Sequence, residues 1–184
     1  MSGILGRSNS VSGMIADGSP IMGELYQFTS PTIGSGNILG QHMQLATGTT
    51  KAHGPPASRS LGMSMGTSGT ADGVFTFPTM GVYWVLATVN IYATNANHSR
   101  YNHVNFHIGS ANNSSTLIGQ FSGWTASETN THNEVVGQCF VYIDDLANKK
   151  FHMSTSFEEG DGVRTWISSN QNHGCVFFMR MGDL

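Results

Sequence analysis

The chain has 184 residues, and only 10% of them are charged, against roughly a quarter in a typical soluble domain. Eight Lys+Arg stand against 11 Asp+Glu, a formal net charge of −3, so there is no basic surplus for a nucleic-acid backbone and no polybasic patch for a membrane surface. Hydrophobic content of 39% is enough for a packed core and too much for a disordered chain, and no apolar run approaches the ~20 residues of a membrane span.

The first ten residues hold one cation, Arg7, and only Ile4-Leu5 as apolar neighbours, so they lack the apolar centre of a secretory signal. A degenerate unit then recurs. Ser2-Gly3-Ile4-Leu5-Gly6 returns as Ser12-Gly13-Met14-Ile15-Ala16, and more loosely as Ser35-Gly36-Asn37-Ile38-Leu39-Gly40. Two aliphatic side chains bury too little to offset the ordering of their own backbone, but they can plug a shallow pocket on another surface. Residues 1–40 are therefore expected to be an extended docking arm. Its anchors would be Ile4, Leu5, Met14, Ile15, Ile21, Met22, Leu25, Tyr26 and Phe28, with a folded domain over 41–184.

His53-Gly54-Pro55-Pro56-Ala57-Ser58 is a breaker cluster, expected between strands near Gln41–Thr47 and Leu61–Thr67. From Tyr83 onward the chain alternates with period two. Tyr83, Val85, Ala87, Val89 and Ile91 interleave with Trp84, Leu86, Thr88 and Asn90, the mark of a strand with one face inward. Val104, Phe106 and Ile108 follow, then Val135 to Ile143, Phe151 to Phe157, Val163 to Ile167 and Gly174 to Met181. Polar turn clusters separate these runs, and no stretch shows a capped helical stripe. Many short strands at near-regular spacing predict an all-β sandwich or barrel.

The segment from Asp72 to Val85 contains Gly73, Phe75-Thr76, Pro78, Gly81 and Tyr83, and resembles the "G-x-F-T-x-P-x-x-G-x-Y" signature of tumour-necrosis-factor-like jelly rolls, especially complement-type globular heads. Phe157 to Val163 is similar to that family's late "G-D-x-V" turn, and Gly174 to Met179 to its closing apolar strand. The resemblance spans roughly Leu61 to Leu184. It implies an antiparallel jelly-roll β-sandwich assembled as a homotrimer. Phe75, Phe77, Tyr83, Trp84, Leu86, Phe106, Phe140, Tyr142, Phe177 and Met179 would form its core or trimer interface.

The opening repeat resembles small structural proteins of tailed bacteriophages, which reuse trimeric jelly rolls as capsid cement and as fibre tips. Together the two likenesses imply a non-enzymatic decoration protein made in the host cytoplasm and placed on the outer capsid surface. Its arm would bind the major capsid protein. The alternative is a tail-fibre or head-fibre tip that binds a glycan receptor. No cofactor or bound metal is expected.

Several chemical signals weigh less. Gly62-Met63-Ser64-Met65-Gly66 matches a nucleophile-elbow string but has no buried strand before it or helix after it. His103 and His107 share a strand face ~13 Å apart, too far for one metal, although a trimer axis could gather three copies of one histidine. Glu158, Glu159 and Asp161 could hold a hard cation, but their spacing matches no known calcium loop and the turn that the family resemblance implies explains them better. Asp144-Asp145 with Lys149-Lys150 reads as a hairpin tip with cross-paired charges. Cys139 and Cys175 read as free thiols. Tyr101, Trp124, Trp166 and Tyr142 could stack on sugars or pack in the core or the trimer interface. Between Ser60 and Ser99 only Asp72 is charged, and no charge lies between Tyr101 and Ser127. The longest strands are thus nearly uncharged on both faces, which suits faces covered by other copies.

Overall fold

Tyr83, Val85, Ala87, Val89 and Ile91 are all buried and the residues between them are half-buried, as one apolar face in two predicts. They belong to β6 (Gly81–Ala93), the spine of a seven-stranded antiparallel sheet. The computed structural model describes residues 23–29, 32–33, 36–46, 60–93, 99–125, 130–158, 163–166 and 174–184.

On one side β6 pairs with β9 (His132–Ile143) along its whole length, from Gly81↔Ile143 to Tyr92↔His132. On the other side it pairs with β12 (Gly174–Gly182) and, further along, with β11 (Val163–Trp166). Beyond β12 lie β1 (Gly23–Phe28) and β3 (Met43–Leu45), and beyond β11 lies β2 (Thr32–Ile33). The second sheet has the order β4 (Ser64–Met65), β5 (Phe75–Thr76), β10 (Lys150–Phe157), β7 (Ser99–Ala111), β8 (Ser114–Thr125). Helical geometry among the described residues is confined to two short 3-10 turns, Leu39–His42 and Gly69–Ala71.

The core between the sheets is aromatic. The Phe75 ring lies 4.8 Å from Tyr26, 5.0 Å from Phe178 and 6.3 Å from Phe151, while Phe106 meets Phe151 at 5.1 Å. Such tilted and edge-on pairs add to what burial alone contributes. The Gly73–Tyr83 segment feeds this cluster. Phe75 and Phe77 are buried, Phe77 packs 4.6 Å from the Tyr83 ring, and the Tyr83 hydroxyl donates to the Thr79 carbonyl at 2.8 Å. Gly73 has φ of +72°, and a Cβ there would lie 2.5 Å from the Gln41 nitrogen. Only glycine lets this turn press against the Leu39–His42 turn.

Two expectations need correction. The boundary at residue 40 falls inside the sandwich, because β1 sits between β12 and β3 in the sheet interior. Leu25, Tyr26 and Phe28 are therefore not docking-arm anchors. All six β1 residues are buried, with Tyr26 and Phe28 in the core cluster. Buried on both faces, this strand loses the alternation that marks its neighbours. Of the other anchors, Ile4, Leu5, Met14, Ile15, Ile21 and Met22 lie outside the described residues. The second correction is a strand that sequence periodicity did not reveal. β8 carries glycine at core-facing positions, and the aromatic ring of Phe121 fills the space above Gly137, where a Cβ would come within 2.5 Å of it.

Both cysteines are free. Cys139 pairs with Val85 on one side of β6 and Cys175 with Thr88 on the other, so they occupy different neighbouring strands. Burial pushes the Cys139 thiol up to about 11, which keeps it protonated and unreactive.

Candidate functional site

The inward face of β6 fills the core, so Val82, Trp84, Leu86, Thr88, Asn90 and Tyr92 point away from it. Their cross-strand partners continue the same outer surface. Val82 faces Tyr142, Trp84 faces Phe140 and Met179, and Leu86 faces Phe177. Trp84 and Phe177 meet edge-on with ring centroids 6.3 Å apart. At the β9 margin Val136, Phe140 and Tyr142 are 53%, 57% and 62% exposed. Three strands thus present a contiguous apolar band to water. Monomeric proteins rarely leave such a surface uncovered.

Of the ten residues expected in a core or trimer interface, Phe75, Phe77, Tyr83 and Phe106 are core. Trp84, Leu86, Phe140, Tyr142, Phe177 and Met179 gather on this one outer face. The expectation named these ten residues together, and the strand registers divide them, odd and even positions of β6 falling on opposite sides.

Beside this band, a groove of about 870 Å3 runs between the β8 and β9 margins, lined by Ile118, Phe140, Tyr142, Asn113, Asp145 and Lys149. The charged groups at its rim already have partners. Lys149 Nζ lies 2.6 Å from Asp144, and Asp145 accepts from the Ala147 and Asn148 amides and from the Asn148 side chain. These contacts hold both carboxyls below the usual range, Asp144 chiefly through Lys149 and Asp145 chiefly through Asn148. One cross-pair, Lys149 with Asp144, matches the charge sequence, while Asp145 is held by the loop itself.

The five-stranded sheet turns a different surface outward. His103, Asn105 and His107 of β7 face His152, Ser154 and Ser156 of β10 and Gln120 and Ser122 of β8. His103 Nδ1 lies 2.7 Å from Ser122 Oγ, and the Gln120 amide donates to Asn105 Oδ1 at 3.0 Å. Among the described residues no group of three or more His, Cys, Asp or Glu is placed to hold a metal. Glu159 and Asp161 lie outside the described residues.

Sequence reasoning missed two buried ionisable groups. Glu24 is 1% exposed, with Oε1 accepting from the Tyr26 hydroxyl at 2.8 Å and Oε2 from Ser60 Oγ, the Gly62 amide and the Met63 amide at 2.7 to 3.1 Å. Four donors take the place of solvent around this carboxylate. Burial, reinforced by Glu24, pushes the Tyr26 phenol well above its ordinary value. The same contacts explain the elbow-like string. Met63 is tied to Glu24, Ser64 lies on β4, and a 3-10 turn follows. The second group is His152, 2% exposed on a face where alternation places polar, solvated residues. Only the presence of His107 directly opposite could have hinted at it.

No family model matches the sequence, and no curated protein matches it. Among solved structures, the chain is similar to the Eiger tumour necrosis factor of S. frugiperda. The TM-score is 0.60 at 10% identity, covering 90% of this chain and 95% of that one. The fold is tumour-necrosis-factor-like. The Gly73–Tyr83 segment therefore lies in the fold its signature implies, and the tumour-necrosis-factor-like sandwich extends N-terminally of Leu61 to take in β1 and β3.

Proposed function

We propose that this chain is a non-enzymatic structural protein of a phage virion, a homotrimer that decorates the outer capsid surface and steadies the major capsid protein shell. The observation that carries the reading is the apolar band of Trp84, Leu86, Phe140, Tyr142, Phe177 and Met179 on the outer face of the seven-stranded sheet. Burial stabilises such area by ~25 cal/mol per Å2. A closed ring of copies covers it on every subunit and leaves no free patch. The pairs Ile4-Leu5, Met14-Ile15 and Ile21-Met22 precede the first core strand and supply apolar anchors outside it. Three tethered sets of anchors bind far more tightly than one.

The test is to mix the purified chain with empty phage capsid shells and to count copies retained per shell subunit. About one copy per shell subunit supports decoration. No retention refutes it. A few copies per particle would instead support the second reading, a fibre-tip module, which the exposed aromatics Tyr101 and Trp124 on the other sheet favour.

A further inference from the structure

We propose that the outer face of the five-stranded sheet binds a neutral carbohydrate chain, with Trp124 and Tyr101 as its stacking platform. The two residues lie on adjacent strands at the same end of the sheet, between the Asn102↔Gly123 and Ser99↔Thr125 pairs. Their direction is fixed independently. Tyr101 stacks on His103 at 5.0 Å and 17°, and His103 bonds Ser122, which places both rings and the Ser122 hydroxyl on the outer face. Gly123 points inward, since a Cβ there would meet Val135 and Ile91 of the core. Its neighbour Trp124 therefore points out, and it is 62% exposed, with Tyr101 at 44%.

Leaving an indole and a phenol in water forgoes the burial both could obtain, and their flat apolar faces suit the C–H faces of a sugar ring. The polar groups beside them are already oriented. With one side of each engaged, His103 keeps Nε2 and Gln120 keeps Oε1 for a ligand hydroxyl. The outer positions of β7 from Tyr101 to His107 and of β8 from Gln120 to Trp124 carry no Asp, Glu, Lys or Arg. Just past the end of β10, Glu158, whose amide donates to the Tyr101 carbonyl, is the one acidic residue beside this pair among the described residues. Aromatic rings with neutral donors and acceptors and one carboxyl-bearing neighbour select a neutral polyol over a phosphate or a sulfated glycan. The site lies on the opposite sheet from the apolar band, so occupancy of one face leaves the other free.

The test titrates the full chain with maltoheptaose, cellohexaose and chitohexaose, following heat release and tryptophan fluorescence. Saturable binding of at least one is expected, weakened about tenfold or more by Trp124→Ala and by Tyr101→Ala, and largely kept by Trp124→Phe. Far-UV circular dichroism and oligomeric mass should not change in these variants. No saturable binding to any of the three, or equal binding by the alanine variants, overturns the proposal. So does a fall in oligomeric mass on Trp124→Ala, which would assign the face to contacts between copies. None of these outcomes decides shell decoration, which the copy-number measurement tests separately.

Discussion

The imidazole of His152 lies flat against that of His107, with 4.5 Å between centroids and 1° between planes. Both rings bond hydroxyls, His107 to Ser154 and His152 to Ser115, and neither hydroxyl offsets a positive charge. Nδ1 of His152 is buried without a partner. Burial, and secondarily the neighbouring His107, hold His152 down to about 4, and burial lowers His107 as well.

Acid should therefore destabilise this protein well before its carboxylates titrate. A histidine in the unfolded chain takes up its proton near pH 6.5, whereas His152 in the folded chain does so only near pH 4. Between these values the unfolded state holds more protons. Stability is fully present above pH 6.5 and is lost as pH falls toward 4, by an amount on the order of 3 kcal/mol. Urea unfolding at pH 7, 5.5 and 4 measures the slope, and His152→Asn should flatten it. An equally steep slope in that variant would show that the stacked pair is not the source.

Removing the Glu24 carboxylate should be severe. Glu24→Ala leaves the Gly62 and Met63 amides, Ser60 Oγ and the Tyr26 hydroxyl without their acceptor, at a cost of roughly 3 kcal/mol or more. Tyr26→Phe removes one of these bonds and should cost about 1–2 kcal/mol. Faster amide exchange at Gly62 and Met63 in Glu24→Ala would place the loss at this contact. Unchanged exchange there would refute the assignment.

Truncation separates the docking segment from the sandwich. Deleting residues 1–22 stops short of β1, and the product should fold and self-associate while losing shell binding. Deleting residues 1–30 removes a strand paired with both β12 and β3 and should give an insoluble or unfolded chain. Sedimentation of each product with empty shells checks both expectations. Full binding by the shorter deletion would sink the docking role.

Charge placed on the apolar band should break the oligomer without unfolding the subunit. Trp84 and Phe140 face each other across β6 and β9 with their side chains outside the core. Trp84→Glu or Phe140→Glu would desolvate a carboxylate in any interface built there, at several kcal/mol per copy. Light scattering should report a monomer with native circular dichroism. A variant that keeps the parent mass would exclude this face from assembly.

The strands that alternate cleanly were legible in the sequence. β6, β9 and β12 have one face more buried than the other, so period two writes their orientation into the residue order, while β10 breaks the rule at His152, which is buried on the outer face. β1 hid because both of its faces are covered and its one acidic residue, Glu24, is buried on four hydrogen bonds. β8 hid for the opposite reason. Its inward positions Gly119 and Gly123 are small, while Leu117 and Ile118 are 49% and 43% exposed, so its apolar pattern points to the wrong side. For the apolar outer face, alternation set Trp84 and Leu86 apart from Tyr83 and Val85, but left Trp84, Leu86, Phe140 and Tyr142 as core or interface, and their convergence on one band follows from strand order, which no local pattern encodes. The aromatic pair Tyr101 and Trp124 was visible as residues, yet nothing before β8 was in place could set them side by side.

The position of β1 has a consequence for synthesis. Tyr26 pairs with Val176, a residue that leaves the ribosome 150 positions later. The edge of β1 that pairs with β12 therefore stays unmatched until Val176 has been made, and its closure waits on a long loop. Such a chain should fold slowly. During that interval the exposed strand is a point where nascent copies can pair wrongly, so yield should depend on expression rate and temperature more than on the stability of the finished sandwich.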